Sequence, residues 1–90
     1  MNKEHQINYY KRLPKNFMTP DVIEFVLTTD GRIIELSKGT GIGNEPIWGV
    51  TEFDTDLKTT RRGQMHTSAK SARKHFNTLL GCWYYEKNKF

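Results

Sequence analysis

The residues best suited to chemistry in this chain are cations. Lys58, Arg61, Arg62, Lys70, Arg73 and Lys74 fall in one stretch, and Tyr84 and Tyr85 follow it. Arginine offers phosphate a planar fork of donors and lysine a point charge; both release counterions on binding a polyanion. The tyrosines, with Trp83 before them, would add flat faces on which unpaired bases stack, provided they are exposed. Such a set grips a phosphate backbone and reads little sequence, because phosphate contacts position a protein without specifying bases. The bland alternative is a solvated basic helix face with no partner at all.

Other chemistry is thinner. Glu52, Asp54 and Asp56 alternate, so an extended strand would turn all three to one face, where they could hold Mg²⁺ for a small nuclease aided by Lys58 or His66. The competing reading is a turn whose acids accept backbone hydrogen bonds. His5, His66, His75 and Cys82 lack the paired spacing of zinc sites, so neither a resident metal nor another cofactor is expected. His75 reads as a boundary residue beside an apolar stripe. No orienting group completes a Cys/His nucleophile, so an enzyme is the weaker class. Gly39, Gly41 and Gly43 sit in K-G-T-G-I-G-N-E-P, which is neither a Walker loop nor a dinucleotide fingerprint. They read as a hairpin loop, or as a partner-contacting flap.

Charge distribution favours the cations. Residues 1–56 carry six Lys/Arg against nine Asp/Glu, a net of −3; residues 57–90 carry eight against one, a net of +7. That asymmetry suggests a basic surface offered to a polyanion. Ninety residues make one domain of modest stability. The lone cysteine fits a reducing compartment, and neither a secretory leader nor a bilayer-spanning stretch is evident. A cytoplasmic protein without membrane contact is expected, in a host cytoplasm if the source is viral.

Four elements must position these groups. T-S-A-K-S-A-R-K-H-F-N-T-L-L-G, residues 67–81, predicts a helix. Ala69, Ala72, Phe76, Leu79 and Leu80 make its core stripe, while Lys70, Arg73, Lys74 and Asn77 lie opposite. Thr67 or Ser68 would cap its start and a left-handed Gly81 would stop it. Residues 21–37 predict a hairpin about Asp30-Gly31, a two-residue turn with positive φ at both positions. That register pairs Thr28 with Ile33 and Phe25 with Leu36. It gives one core face of Ile23, Phe25, Leu27, Ile34 and Leu36, and a mixed outer face including Val26 and Ile33. Residues 47–54 predict a third strand, with either Trp48 and Val50 inward or Ile47 and Phe53. Residues 57–66 suggest a fourth, irregular at Arg61-Arg62-Gly63. The tail would fold back to cover the core with Trp83 or Tyr85.

The N-terminal residues 1–20 read as a weakly ordered segment, with a short helix over 5–13 (Ile7, Tyr10 and Leu13 inward, ended by Pro14) as the other option. Residues 21–90 form a single α+β domain. Its three- to four-stranded antiparallel sheet carries a C-terminal amphipathic helix on one face.

H-T-S-A-K-S-A-R-K-H-F resembles the last helix of double-stranded RNA-binding domains. The motif covers Ser68 to Phe76, and element order extends the likeness over most of the chain. The resemblance implies an α-β-β-β-α order and lysines at that helix's start gripping phosphates. Ser68-Ala69-Lys70 stands where the family has adjacent lysines. In size and basic tail the chain also resembles accessory proteins of large tailed phages, which often bind host RNA, nucleases or defence complexes.

The expected function is therefore a non-enzymatic, RNA-favouring nucleic-acid-binding accessory protein, with inhibition of a host RNA-processing or defence complex as the role it would play. The alternative is a regulator docking on an acidic host protein through Val26, Ile33 and the loop glycines, its cations steering the encounter. A metal-dependent nuclease is third. A hairpin with a partly apolar second face also suggests a homodimer.

Overall fold

The computed structural model describes residues 3–81 and, for 85–88, the backbone alone. The elements are α1 (Lys3–Arg12), β1 (Asp21–Thr28), β2 (Ile33–Thr40), β3 (Pro46–Phe53), β4 (Thr60–His66), α2 (Ala69–Leu80) and β5 (Tyr85–Asn88), with a 3₁₀ turn at Ile42–Asn44. The fold is α+β. Every strand pairing in its one sheet is antiparallel, in the order β4-β3-β2-β1-β5. The short β5 returns the tail to the sheet beside β1, a strand beyond the three or four expected. Four strands separate the two helices, against three in the family order.

The hairpin forms where expected but one residue out of register. Leu27 pairs with Ile33, Val26 with Ile34 and Phe25 with Glu35. The cause is the turn. Thr28 and Arg32 close a three-residue loop in which Gly31 (φ 91°) has positive φ and Asp30 does not. The Thr28 hydroxyl fixes this geometry, donating to Asp30 Oδ1 at 2.5 Å and accepting from the Arg32 N–H at 2.9 Å. Side-chain period is two, so the slip exchanges the faces. Phe25 leaves the α2 side and Val26 takes its place. Val26 and Ile33, expected on an exposed mixed face, are both fully buried.

Both sheet faces are covered, not one. Val26, Ile34, Leu36 and Val50 pack under Ala72, Phe76 and Leu80 of α2, with Trp48 and Leu79 at the margin. On the other face Tyr10 of α1 packs with Phe25, Leu27, Ile33 and Leu57, flanked by Phe53 and Ile7. β3 thus uses both of its expected faces, Trp48 and Val50 toward α2 and Phe53 away. A bulge at Arg61 shifts the β3–β4 ladder, since Glu52 pairs with Arg62 but Phe53 with Thr60.

Ser68 caps α2, its Oγ accepting from the Ser71 N–H at 3.1 Å. Gly81 ends the helix in the right-handed region (φ −64°, ψ −14°), not the left-handed stop expected, and its N–H bonds to Asn77 O at 3.1 Å. The N-terminal segment takes the helical option, with Tyr10 buried. The chain beyond α1 is tied to the sheet, since Ser37 Oγ donates to a buried Thr19 Oγ1 at 2.9 Å. It also lies against Gly39, where an added Cβ would fall 1.8 Å from Met18 O.

Candidate functional site

Five of the six expected phosphate-binding cations belong to the α2 side. Lys70 and Lys74 are exposed on α2, a helix without a single acidic residue. Arg73, on the same helix, reaches across to Glu24 of β1, with Nη1 3.4 and 3.3 Å from its two carboxylate oxygens. Arg62 is exposed on the edge strand β4, opposite Glu52, so alternation turns it to the α2 side. Arg61 turns inward, its Nε 3.5 Å from Glu52 Oε2. Lys58 lies apart, in the β3–β4 turn at the mouth of a pocket under α1. Tyr84 and Trp83 fall outside the described residues, as does the side chain of Tyr85; Cys82 does too.

Two acids of the α2 side are sequestered. Glu24 and Glu52 are 3% and 1% exposed, too deep to be left without compensation. Arginines from other elements supply it. Arg32 stands 3.7 Å from Glu52, 3.3 Å from Asp30 and 4.0 Å from Asp54, forming a chain of charges along one end of the sheet. Glu52, Asp54 and Asp56 therefore do not converge. Asp56 spends its oxygens on the turn, accepting from Lys58 N at 2.9 Å, Thr59 N at 2.8 Å and Thr59 Oγ1 at 2.5 Å. Those bonds, the Thr59 hydroxyl's first, bring its carboxyl down to about 2. Among the described residues no group of three His, Cys, Asp or Glu could hold a metal.

His66, at the end of β4, and His75 of α2 face each other. Ser71 Oγ lies 2.8 Å from His66 Nδ1, and His66 Nε2 lies 2.9 Å from His75 Nδ1. The short nitrogen–nitrogen contact needs one ring to carry the shared proton and disfavours charging both. Burial, then the neighbouring His66, holds His75 below its ordinary value. His75 is half-buried at the margin of the α2 core, as its place beside the stripe implied.

The glycine loop is built more firmly than a free flap. Gly39 and Gly41 continue the β2–β3 hairpin, and Gly41 N–H bonds to Glu45 O at 2.7 Å. Only the tip projects, with Ile42 97% exposed.

Sequence reasoning passed over Glu35. It lies on β2, the central strand of the sheet, and is 4% exposed on the α1 face. The Tyr10 hydroxyl donates to its Oε1. Lys15 stands over the Tyr10 ring at 4.2 Å from the centroid. Burial pushes the Glu35 carboxyl up, opposed by the tyrosine bond and the lysine charge. Burial lowers Lys15 and raises Tyr10. One signal pointed to it. An acid inside the apolar run I-I-E-L must be buried if both sheet faces are covered, and a buried acid needs a partner.

No family model, curated protein or solved structure matches this chain.

Proposed function

We propose that this protein is a non-enzymatic polyanion-binding module that engages a nucleic acid, RNA in preference to DNA, through its α2 side. One observation carries the reading: Glu24 and Glu52 of that side are buried beneath arginines while Lys70, Lys74 and Arg62 stand exposed. Among the described residues none of these three is in an ion pair, so their charge is free to meet phosphate. Phe76, Ala72 and Leu80 fix the helix, so the cations are held on a rigid element and little order is lost on binding. Arg61 and Arg73, each 41% exposed, keep part of their guanidinium edge for the same surface. The module acts by occupancy, and inhibition of an RNA-processing or defence complex is the role this would serve.

The test is a fluorescence-anisotropy titration against single-stranded RNA, duplex RNA and duplex DNA over a range of salt. Binding with a steep negative log–log slope is expected. Lys70→Ala with Lys74→Ala should lower that slope by about 1.8 on a duplex, since each phosphate left without its lysine takes away about 0.9. Unchanged affinity in the double variant would end the reading.

A protein partner is the second reading, favoured by the exposure of Ile42 at the loop tip. Ile42→Asp would then abolish partner capture and leave nucleic-acid affinity intact. Among the described residues β4 has no strand on its outer edge, the geometry a second copy of the chain would use, and sedimentation equilibrium reads that directly.

A further inference from the structure

The sheet face under α1 carries a cavity that none of the α2 cations lines. The chain leaving α1 stands off β3 and leaves a pocket of about 190 Å³ against Tyr10, Leu13, Phe53 and Leu57. The pocket meets a groove of about 490 Å³ that runs past Thr51 to Met65. Glu35 borders both cavities, as do Lys15 and Asn16. Lys58 is an exposed residue of the pocket's lining.

Each part of this lining selects a chemical feature. Glu35 is an acceptor at the buried end, and the Tyr10 hydroxyl occupies only one of a carboxylate's roughly four acceptor positions. Phe53 and Leu57 favour a flat, apolar body. Lys15 lies at the Glu35 end, over the Tyr10 ring, and the exposed Lys58 favours an anion. A nucleotide carries all three features, with ring N–H donors at one end and phosphate at the other.

We propose that this pocket binds a mononucleotide, its base edge donating to Glu35, its ring lying against Phe53 and Leu57, and its phosphate meeting Lys58. Guanine is the preferred base. Its adjacent ring N–H and exocyclic amino group present two donors side by side, the complement of a carboxylate, whereas adenine pairs a donor with an acceptor. Glu35 and Lys15 are also held away from their ordinary titration ranges by burial, as is common for groups at ligand sites.

The experiment is two-dimensional NMR on the full chain, titrated with GMP, AMP, guanosine and inorganic phosphate. GMP should move the amides of Glu35, Phe53 and Leu57, and AMP and guanosine should each bind at least about tenfold more weakly. Lys58→Ala, at an exposed position, should weaken GMP by about tenfold and leave guanosine unchanged. Glu35→Gln should remove the preference for GMP over AMP; if that variant does not fold, the ligand ranking and Lys58→Ala decide. Lys70→Ala with Lys74→Ala should leave GMP affinity untouched, which separates this site from the polyanion surface. The proposal fails if GMP binds no better than phosphate, if its shifts fall on α2, or if the α2 variant abolishes it.

Discussion

The two faces of the sheet bury acids by different means, and the difference sets what each can do. Under α2 the carboxylates of Glu24 and Glu52 meet guanidiniums from Arg73, Arg32 and Arg61. Under α1 the carboxylate of Glu35 meets a phenol and a single lysine. A planar guanidinium stays charged at any working pH, so Glu24 and Glu52 keep their compensation throughout and the α2 face offers only its outer surface. A buried carboxylate facing a neutral hydroxyl is adjustable, and the α1 face keeps a cavity beside it. Helix anatomy explains the cavity. α2 seats Ala72, Phe76 and Leu80 along its length, whereas α1 buries Tyr10 alone and leaves the β3–β4 half of its face under a turn.

Breaking the closed face should have the largest effect. Phe76→Ala removes the ring that α2 buries in a cluster with Val26, Ile34, Leu36 and Val50, and should cost about 3–5 kcal/mol in urea unfolding. Gly39→Ala comes next. Its methyl would fall on the Met18 carbonyl, a backbone atom that cannot move alone, so the chain after α1 must lift from β2 at a cost of about 1–3 kcal/mol. Because that chain also walls the pocket, Gly39→Ala should disturb GMP binding, while Phe76→Ala should do so only by unfolding the protein.

Tyr10→Phe sharpens the contrast at smaller scale. It strips the hydroxyl from Glu35 and should cost about 1–3 kcal/mol at neutral pH. The hydroxyl favours the carboxylate form, so the cost should shrink as Glu35 protonates in acid. The sign follows from the raised folded value. Glu35's contribution to stability is complete below its ordinary value of 4.5 and is lost as pH rises through the folded one. His75 runs the other way. Its folded value lies below the ordinary 6.5, so its contribution is present above 6.5 and is lost as pH falls through the folded value. Unfolding curves from pH 4 to 8 on the parent, Tyr10→Phe and His75→Gln should separate these opposed slopes, with an imidazole NMR titration giving His75 directly. A shared slope would remove the distinction between the faces.

The smallest stability effect belongs to the most functional change. Lys70→Ala with Lys74→Ala alters exposed side chains on a helix anchored from the other side, and should shift stability within about 0.5 kcal/mol. Its salt slope on RNA should change regardless, so binding and folding can be read apart.

How much of this was legible in the sequence depends on whether the code was local. The α2 helix was, because Ala72, Phe76 and Leu80 repeat at helical spacing behind Ser68, a cap that acts within one turn. The hairpin's place was legible from Asp30-Gly31, and the bulge from Arg61-Arg62-Gly63. The register was not. Loops of two and three residues share the same Asp-Gly signal, and the choice fell to Thr28, whose hydroxyl braces the longer loop. Alternation could not correct the error, because Glu24–Thr28 and Ile33–Ser37 are buried at every position and so carry no inward and outward pattern.

The basic stripe of α2 and its core stripe were thus determined by sequence alone, since both lie on one helix and follow from its period. Which residues share the Glu35 pocket was decided only by tertiary structure. Tyr10, Lys15, Glu35, Phe53 and Lys58 come from three separated stretches, and their meeting depends on α1 crossing the face opposite α2. Both faces of a sheet present alternate side chains equally, so nothing local tells a helix which one to cover; the packing of Tyr10 on Phe25, ring centroids 4.8 Å apart, made that choice.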